Sequence, residues 1–271
     1  MCVMVTGKTR EENDMREFSG RLFVTLVLLA VLPAPACFAA ELTGDRIPTD
    51  KGPLTIHPLE HATFILAWDD NIIDFDPVGG EAMFDDLPAP DLIFITDIHR
   101  DHLNVETLSS LIKSNTQIVA PPAVVEKLPA PLKNRTQSLR NGESLEIAGI
   151  QVQAIPMYNL PETPDAYHTK GRGNGYLLTM GGRRIYVSGD TDDIPEMREL
   201  ENFDVAFVCM NPPYTMSVET AADAVLDFKP RIVYPFHYRS PDGLTDVKKF
   251  KELVSKNGDI EVRLRDWYPQ D

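Results

Sequence analysis

The sequence predicts a mixed α/β (α+β) protein in which two β-sheets pack together and helices cover the outside. Short apolar runs of strand length recur in both halves of the chain, and each half also carries helical segments. The 22 prolines and 16 glycines among 271 residues punctuate short elements rather than long helices. A composition of 43% hydrophobic and 25% charged residues suits a packed core and rules out collagen-like, coiled-coil and wholly disordered architectures. From Glu41 onward no low-complexity linker or charge block marks a boundary, so residues 40–271 are expected to form one domain.

In chain order, strands are predicted at Thr63–Trp68, Ile72–Phe75, Leu92–Thr96 and Gln117–Ala120. A second group follows at Ser144–Ile147, Val152–Ile155, Tyr176–Met180, Arg184–Val187, Val205–Cys209 and Ile232–Pro235. Gly181-Gly182 has the length and composition of a two-residue hairpin loop. Helices are predicted at Val105–Lys113, Ala123–Lys127, Ser217–Phe228 and Asp246–Ser255. In the third, Ser217 suits the N-cap, Ala221, Val225 and Phe228 share a face, and Pro230 ends it. Periodicity leaves the topology open.

The first 39 residues have the pattern of a secretory signal peptide. Arg16 and Arg21 precede the apolar run Leu22–Leu32, Pro33 breaks it, and Cys37-Phe38-Ala39 places small residues at the −3 and −1 positions of a cleavage site. A start at Met15 gives a better basic leader than Met1, because Glu11, Glu12 and Asp14 are out of place there. Ala34-Pro35-Ala36 is a poor context for lipidation of Cys37. The expectation is an exported, periplasmic bacterial protein with no stable membrane insertion after cleavage. Cleavage removes four basic and four acidic residues, so the net charge stays at −15. It also leaves Cys209 as the single cysteine, which excludes an internal disulfide framework. A surface this acidic repels phosphate backbones, which excludes nucleic acid as the expected partner; a small-molecule substrate, even an anionic one, stays compatible because a metal ion reverses the local field.

The six histidines carry the chemistry. Thr96-Asp97-Ile98-His99-Arg100-Asp101-His102 follows a predicted strand and sets four donors of the kind divalent metals prefer within six positions. A loop that merely capped the helix at Val105 would need only Asp101 or Asn104, leaving His99 and His102 without a role. Gly189-Asp190-Thr191 and His237 each follow another strand, and His168 opens a glycine-rich stretch without P-loop spacing. Singly, the last three are weak signals: a turn, a buried histidine, a flexible loop.

In this order, Asp97-x-His99-x-Asp101-His102, His168, Asp190 and His237 resemble the motifs of the metallo-β-lactamase superfamily. His61-Ala62-Thr63-Phe64, Asp76-Pro77-Val78, Pro213-Tyr214-Thr215-Met216 and Tyr234-Pro235-Phe236-His237-Tyr238 are similar to the branch containing ascorbate-6-phosphate lactonase-like proteins. The resemblance implies a four-layer αββα sandwich with the site in a cleft at one edge. It also implies two divalent ions, zinc first, with Asp97, His99 and His168 on one, Asp101, His102 and His237 on the other, and Asp190 between them. Asp97 stands where the family pattern has histidine, which makes that subsite harder and admits manganese or iron.

The activity implied is hydrolysis of a small ester, lactone, amide or phosphodiester by metal-activated water, with Asp101 and Asp190 as the catalytic carboxylates. A di-iron redox protein and a non-catalytic metal-binding module are the alternatives. Candidate substrate contacts are His61, Tyr158, Asn159, Asn211, Tyr214 and Arg239. Arg100 is expected to face solvent and Cys209 to be a structural thiol. The oligomeric state has no signature in the sequence.

Overall fold

The computed structural model describes residues 42–257 and 259–269; the expected signal peptide lies outside the described residues. The first sheet has seven strands in sequence order: β1 (Asp45–Thr49), β2 (Gly52–Glu60), β3 (Thr63–Trp68), β4 (Asn71–Phe75), β5 (Leu92–Phe94), β6 (Gln117–Ala120) and β7 (Thr136–Ser138). Its first four strands are antiparallel, and β4 to β7 run parallel.

The second sheet repeats the plan. Strands β8 (Ser144–Ile147), β9 (Ile150–Met157), β10 (Gly173–Met180) and β11 (Arg183–Val187) are antiparallel neighbours. Parallel strands β12 (Val205–Cys209), β13 (Ile232–Phe236) and, after the small β14–β15 hairpin (Arg239–Ser240 with Gly243–Leu244), β16 (Glu261–Val262) complete it.

Parallel neighbours require crossovers; a 3-10 turn at Glu81–Phe84 lies in the one from β4 to β5, and α-helices supply the others. In the first half these are α1 (Val105–Leu111), α2 (Pro122–Lys127) and α3 (Ala130–Lys133); in the second, α4 (Pro195–Arg198), α5 (Val218–Phe228) and α6 (Val247–Asn257). Ser217 accepts from the Thr220 amide and starts α5 as expected. Asn104, rather than Asp101, caps α1 by accepting from the Thr107 amide. Asp101 is thereby left free for the cleft.

Phe64 on β3 stacks against Phe75 in its own sheet, with centroids 4.6 Å apart, and against Phe207 of the second sheet at 4.5 Å. This aromatic contact lies in the shared core between the sheets. On the other face of the first sheet, Ile93, Ile95 and Ile118 pack under Leu108, Val124 and Leu132 of the three helices. The result is the αββα layering. No helix among the described residues is long and apolar enough to cross a membrane.

The predicted strands all form, with ends moved by a few residues. Gly181 and Gly182 join β10 to β11 with φ of 53° and 74°, the positive values a type I′ loop demands. Strands β1 and β2 were not predicted. Pro48, Pro53 and Pro58 interrupt a mostly polar stretch that reads as turns, yet it pairs as a hairpin near the sheet edge, where prolines are tolerated.

Asp74 on β4 is fully buried, and neither carboxylate oxygen has a hydrogen-bond partner. Burial pushes its carboxyl well above the usual range, so the folded state holds it protonated while the unfolded chain ionises it. Its contribution is therefore most favourable below the unfolded value of 3.8 and is lost as pH rises toward the folded one. Asp74→Asn should match the parent in acid and exceed it increasingly at higher pH, by roughly 1.4 kcal/mol per pH unit until the folded-state value is passed. Melting curves of both proteins at pH 4.5 and 8 test this. A gap that does not change with pH would show that the carboxyl is charged in the native state.

Candidate metal centre

The site residues sit where strands end. Asp76 follows β4, the segment Asp97–His102 follows β5, Asp190 follows β11, and His237 follows β13. His61 lies in the β2–β3 turn at the same edge, since β3 begins beside the end of β4. In sheets of this kind the carboxyl ends of parallel strands leave side chains free to converge. Gly189 is required at its turn: φ is +60°, and a Cβ would come within 2.6 Å of Met157 Sδ and 3.0 Å of the Asn174 carbonyl. His61, Asp76 and His237 also hold positive φ (55°, 42° and 49°), a costly conformation for such side chains and one that concentrates at functional sites.

His102, Asp190 and His237 form a buried cluster. His102 Nε2 lies 3.2 Å from Asp190 Oδ2, His237 Nε2 lies 3.3 Å from Asp190 Oδ1, and the two imidazole nitrogens are 3.1 Å apart. His168 Nε2 approaches Asp190 Oδ2 to 3.2 Å, and Asp101 Oδ2 lies 3.4 Å from His237 Nε2. Sequence positions 101 to 237 thus meet in one place.

Hydrogen bonds behind the cluster fix which nitrogens face it. Asp76 Oδ2 takes the His102 Nδ1 proton at 2.8 Å and is held in turn by the Thr96 hydroxyl at 2.6 Å. Asn159 Oδ1 lies 3.2 Å from His168 Nδ1 and also accepts from the His168 amide. In both histidines the Nε2 lone pair is then turned toward the Asp190 carboxylate. Acceptor against acceptor is repulsive in a buried site unless a cation lies between them. His168 Nε2 and Asp190 Oδ1 make no hydrogen bond, which fits ligand atoms.

The charges say the same. Burial would raise Asp190, but the imidazoles of His237 and His102 outweigh it and hold its carboxyl well below the usual range. Burial would lower His102, but Asp190 and Asp76 hold its imidazole well above the usual histidine value. The carboxylates thus favour positive charge at this spot, which a divalent ion between them and the neutral rings would supply. These residues fit a divalent cation.

His61 has another part. Tyr268 Oη accepts from the amides of Tyr238 and Arg239, so its own proton goes to His61 Nδ1, 2.6 Å away. His61 Nε2 therefore carries a proton and donates to Asp101 Oδ2 at 3.3 Å. Burial, then the neighbouring His237, push this imidazole down to about 4, so it is neutral in this role. His61, expected to touch substrate, lies against Asp101 and groups with Asp101 and His237 within ligand distance.

Asp97 also departs from expectation. Proposed from the resemblance as a direct ligand, it is fully buried with both oxygens engaged by Arg172: Nε to Oδ1 at 3.0 Å and Nη2 to Oδ2 at 2.9 Å. Oδ2 also lies 2.8 Å from His99 Nδ1. Burial would raise this carboxyl, but the hydrogen bonds from His99 and Arg172 hold it well below the usual range. Asp97, His99 and His168 still group within ligand distance of one another, so this second cluster differs from the first in its partners rather than its proximity.

A cleft of about 870 Å³ opens over the centre, with His99, Asp101, His168 and Asp190 on its walls. Asn211 and Tyr214 line it as expected; Arg100, Lys127 and Tyr167 line it too. Two of the expected substrate contacts lie elsewhere. The Tyr158 ring is buried and its hydroxyl donates to Glu196, because Glu196 and Lys170 offer that end of the ring a charged pair. Arg239 lies over the Tyr268 ring at 4.3 Å and 3.5 Å from Glu60. Asn159 holds His168 and the Tyr214 carbonyl, so it supports the cleft from behind. Cys209 is buried, with burial pushing its thiol up to about 12, as suits a structural residue. Asp76, Arg172 and Tyr268 were not singled out as site residues. Asp76 shared the signal of the others, an acid directly after a strand; the other two act over sequence separations that no local pattern reveals.

Paired sheets, outer helices and a His/Asp centre at the strand ends define a metal-dependent hydrolase. The Beta-lactamase superfamily domain matches residues 55–237, and the chain belongs to that superfamily. A UPF0173 metal-dependent hydrolase of Pyrococcus furiosus is 28% identical over 215 residues, covering 75% of this chain and 93% of that protein. A candidate metal-dependent hydrolase of Parabacteroides distasonis superposes with a TM-score of 0.74 at 36% identity, over 83% of this chain and 99% of that one. A metallo hydrolase from Ignicoccus hospitalis shares the fold, with a TM-score of 0.67 at 23% identity, over 79% and 95% of the two chains.

Proposed function

We propose that the protein hydrolyses a small ester, lactone, amide or phosphodiester in the cleft above Asp101, His102, His168, Asp190 and His237. The observation that carries this is the pair of imidazole lone pairs, of His102 and His168, aimed at one buried carboxylate. A divalent cation held by these residues, zinc in the first instance, would bring the pKa of water toward neutrality and polarise the bond under attack. Asp190 contributes fixed negative charge from the base of the site. Asp101 turns Oδ2 to His61 and His237, which leaves Oδ1 as the oxygen that would take a proton from the attacking water and return it to the leaving group. Asp76 and Asn159 keep their histidines in the tautomers that present Nε2.

The test is metal analysis of the purified protein followed by a panel of ester, lactone, phosphodiester, amide and β-lactam substrates. Turnover that Asp190→Ala abolishes supports the reading. Absence of turnover across the panel, with zinc and with manganese supplied, counts against it; iron content with oxygen consumption would favour redox chemistry instead.

The rim suggests what enters. Arg100 and Lys127 are exposed cations at the mouth of a protein whose net charge is −15, beside the edge-to-face pair Tyr167 and Tyr214. A substrate with an anionic end and a flat or apolar part suits that mouth. Lys127→Ala should raise KM for anionic substrates about 1.5- to 5-fold at low salt, the scale of exposed charge pairs, with little change in kcat. Equal effects on neutral and anionic substrates would remove Lys127 from recognition. Export belongs to the same proposal and rests on the segment Arg16–Ala39; sequencing the N-terminus of the mature protein from cells tests it.

A further inference from the structure

We propose that the two expected metal subsites are unequal: one cation is held by His102, Asp190, His237 and their neighbours, while the Arg172 guanidinium, clamped by Asp97, supplies the positive charge of the other. The inference rests on the hydrolase reading for its chemistry and on the Asp97–Arg172–His99 geometry for its substance.

The donors at the second cluster are already spent. Asp97 gives each oxygen to a separate nitrogen of Arg172, a bidentate pair in which the carboxylate is fully buried and the guanidinium mostly so. His99 Nδ1 faces Asp97 at 2.8 Å, so its Nε2 carries the lone pair that would bind a metal. That nitrogen faces Arg172 Nη2 at 3.4 Å. The guanidinium therefore stands on the ligand side of His99, and its fixed charge opposes a divalent ion arriving there. His168 is the remaining donor of this group, and its Nε2 is directed at Asp190. The first cluster has no such competitor: the nearest partners of its Nε2 atoms are carboxylate oxygens and each other.

Exchanging histidine for aspartate at position 97 and placing an arginine against it act together. A buried aspartate needs a counter-charge, and Arg172, four residues beyond His168, reaches back to provide it. One cation plus one guanidinium then give the cleft two positive centres, of which only one is exchangeable. Arg172 is a positioning residue in this arrangement, setting metal number and the orientation of His99.

Zinc stoichiometry and affinity decide the matter, read by elemental analysis after equilibrium dialysis of the full chain against buffered zinc. The parent protein should retain one zinc per chain, and any second equivalent should bind at least 100-fold more weakly. Arg172→Lys, which keeps the charge, should also hold one. Arg172→Met should hold two, because it frees Asp97 and the His99 lone pair. Should Arg172→Met fold poorly, the Asp97→His, Arg172→Met double variant removes the orphaned carboxylate, supplies an imidazole, and should likewise hold two. Two tightly bound equivalents in the parent would overturn the proposal, as would a folded double variant that still binds one. One zinc per chain without turnover of any substrate would uphold this inference and sink the hydrolase reading; no retained zinc would overturn this inference, while turnover with manganese supplied would leave the hydrolase reading standing.

Discussion

Asp190→Ala is expected to empty the centre of metal and to abolish turnover while the sheets stay folded. Asp190 is the residue that His102, His168 and His237 all approach within 3.3 Å. Without it the three nitrogens have no common anion, and a cation bound there loses its central charge partner. The loss should exceed the roughly 10- to 100-fold that removing an outer partner of a metal ligand typically costs. Asp76→Ala provides that scale, since Asp76 reaches the centre through the His102 Nδ1 it holds. Elemental analysis, circular dichroism and rate measurements on both variants form the check. A fully metallated, active Asp190→Ala protein would end the assignment of this centre.

The second large effect is on stability. Metal binds the native centre and not the dispersed donors of the unfolded chain, so chelation should lower the melting temperature by mass action. At a metal concentration about a thousandfold above Kd the stabilisation is about 4 kcal/mol. A domain of this size changes its melting temperature by about 2–4 °C per kcal/mol, so a fall on the order of 10 °C is expected, reversed by added zinc. Superimposable melting curves with and without a strong chelator would rule out a structural contribution from the ion.

Much of this was legible because strands are apolar and ligands follow them. The runs Thr63–Trp68 and Val205–Cys209 match the observed elements, and Asp190 and His237 each follow a run that buries well. The β1–β2 hairpin escaped because three prolines mask its alternation. Within the site, donors could be found from their types, but partners could not. Nothing in the sequence near Asp97 announces Arg172, 75 residues away, and Tyr268 reaches His61 across 207 residues. Tautomer is decided by such distant contacts, so the sequence distinguishes a ligand histidine from an orienting one only after the chain has closed. Tyr158 and Arg239 illustrate the converse: nearness in sequence to a strand end or to His237 did not place them at the cleft, because stronger partners lay elsewhere.

The centre also has a bearing on how the molecule assembles. Asp101 and His102 hang from the first sheet, while His168, Asp190 and His237 hang from the second. An ion gripping both groups is a clasp across two separately pleated halves, and it can close only after Phe64 and Phe207 have brought those halves into register. Ion binding is therefore coupled to the docking of the two sheets, and a change that pries them apart is expected to weaken ion affinity.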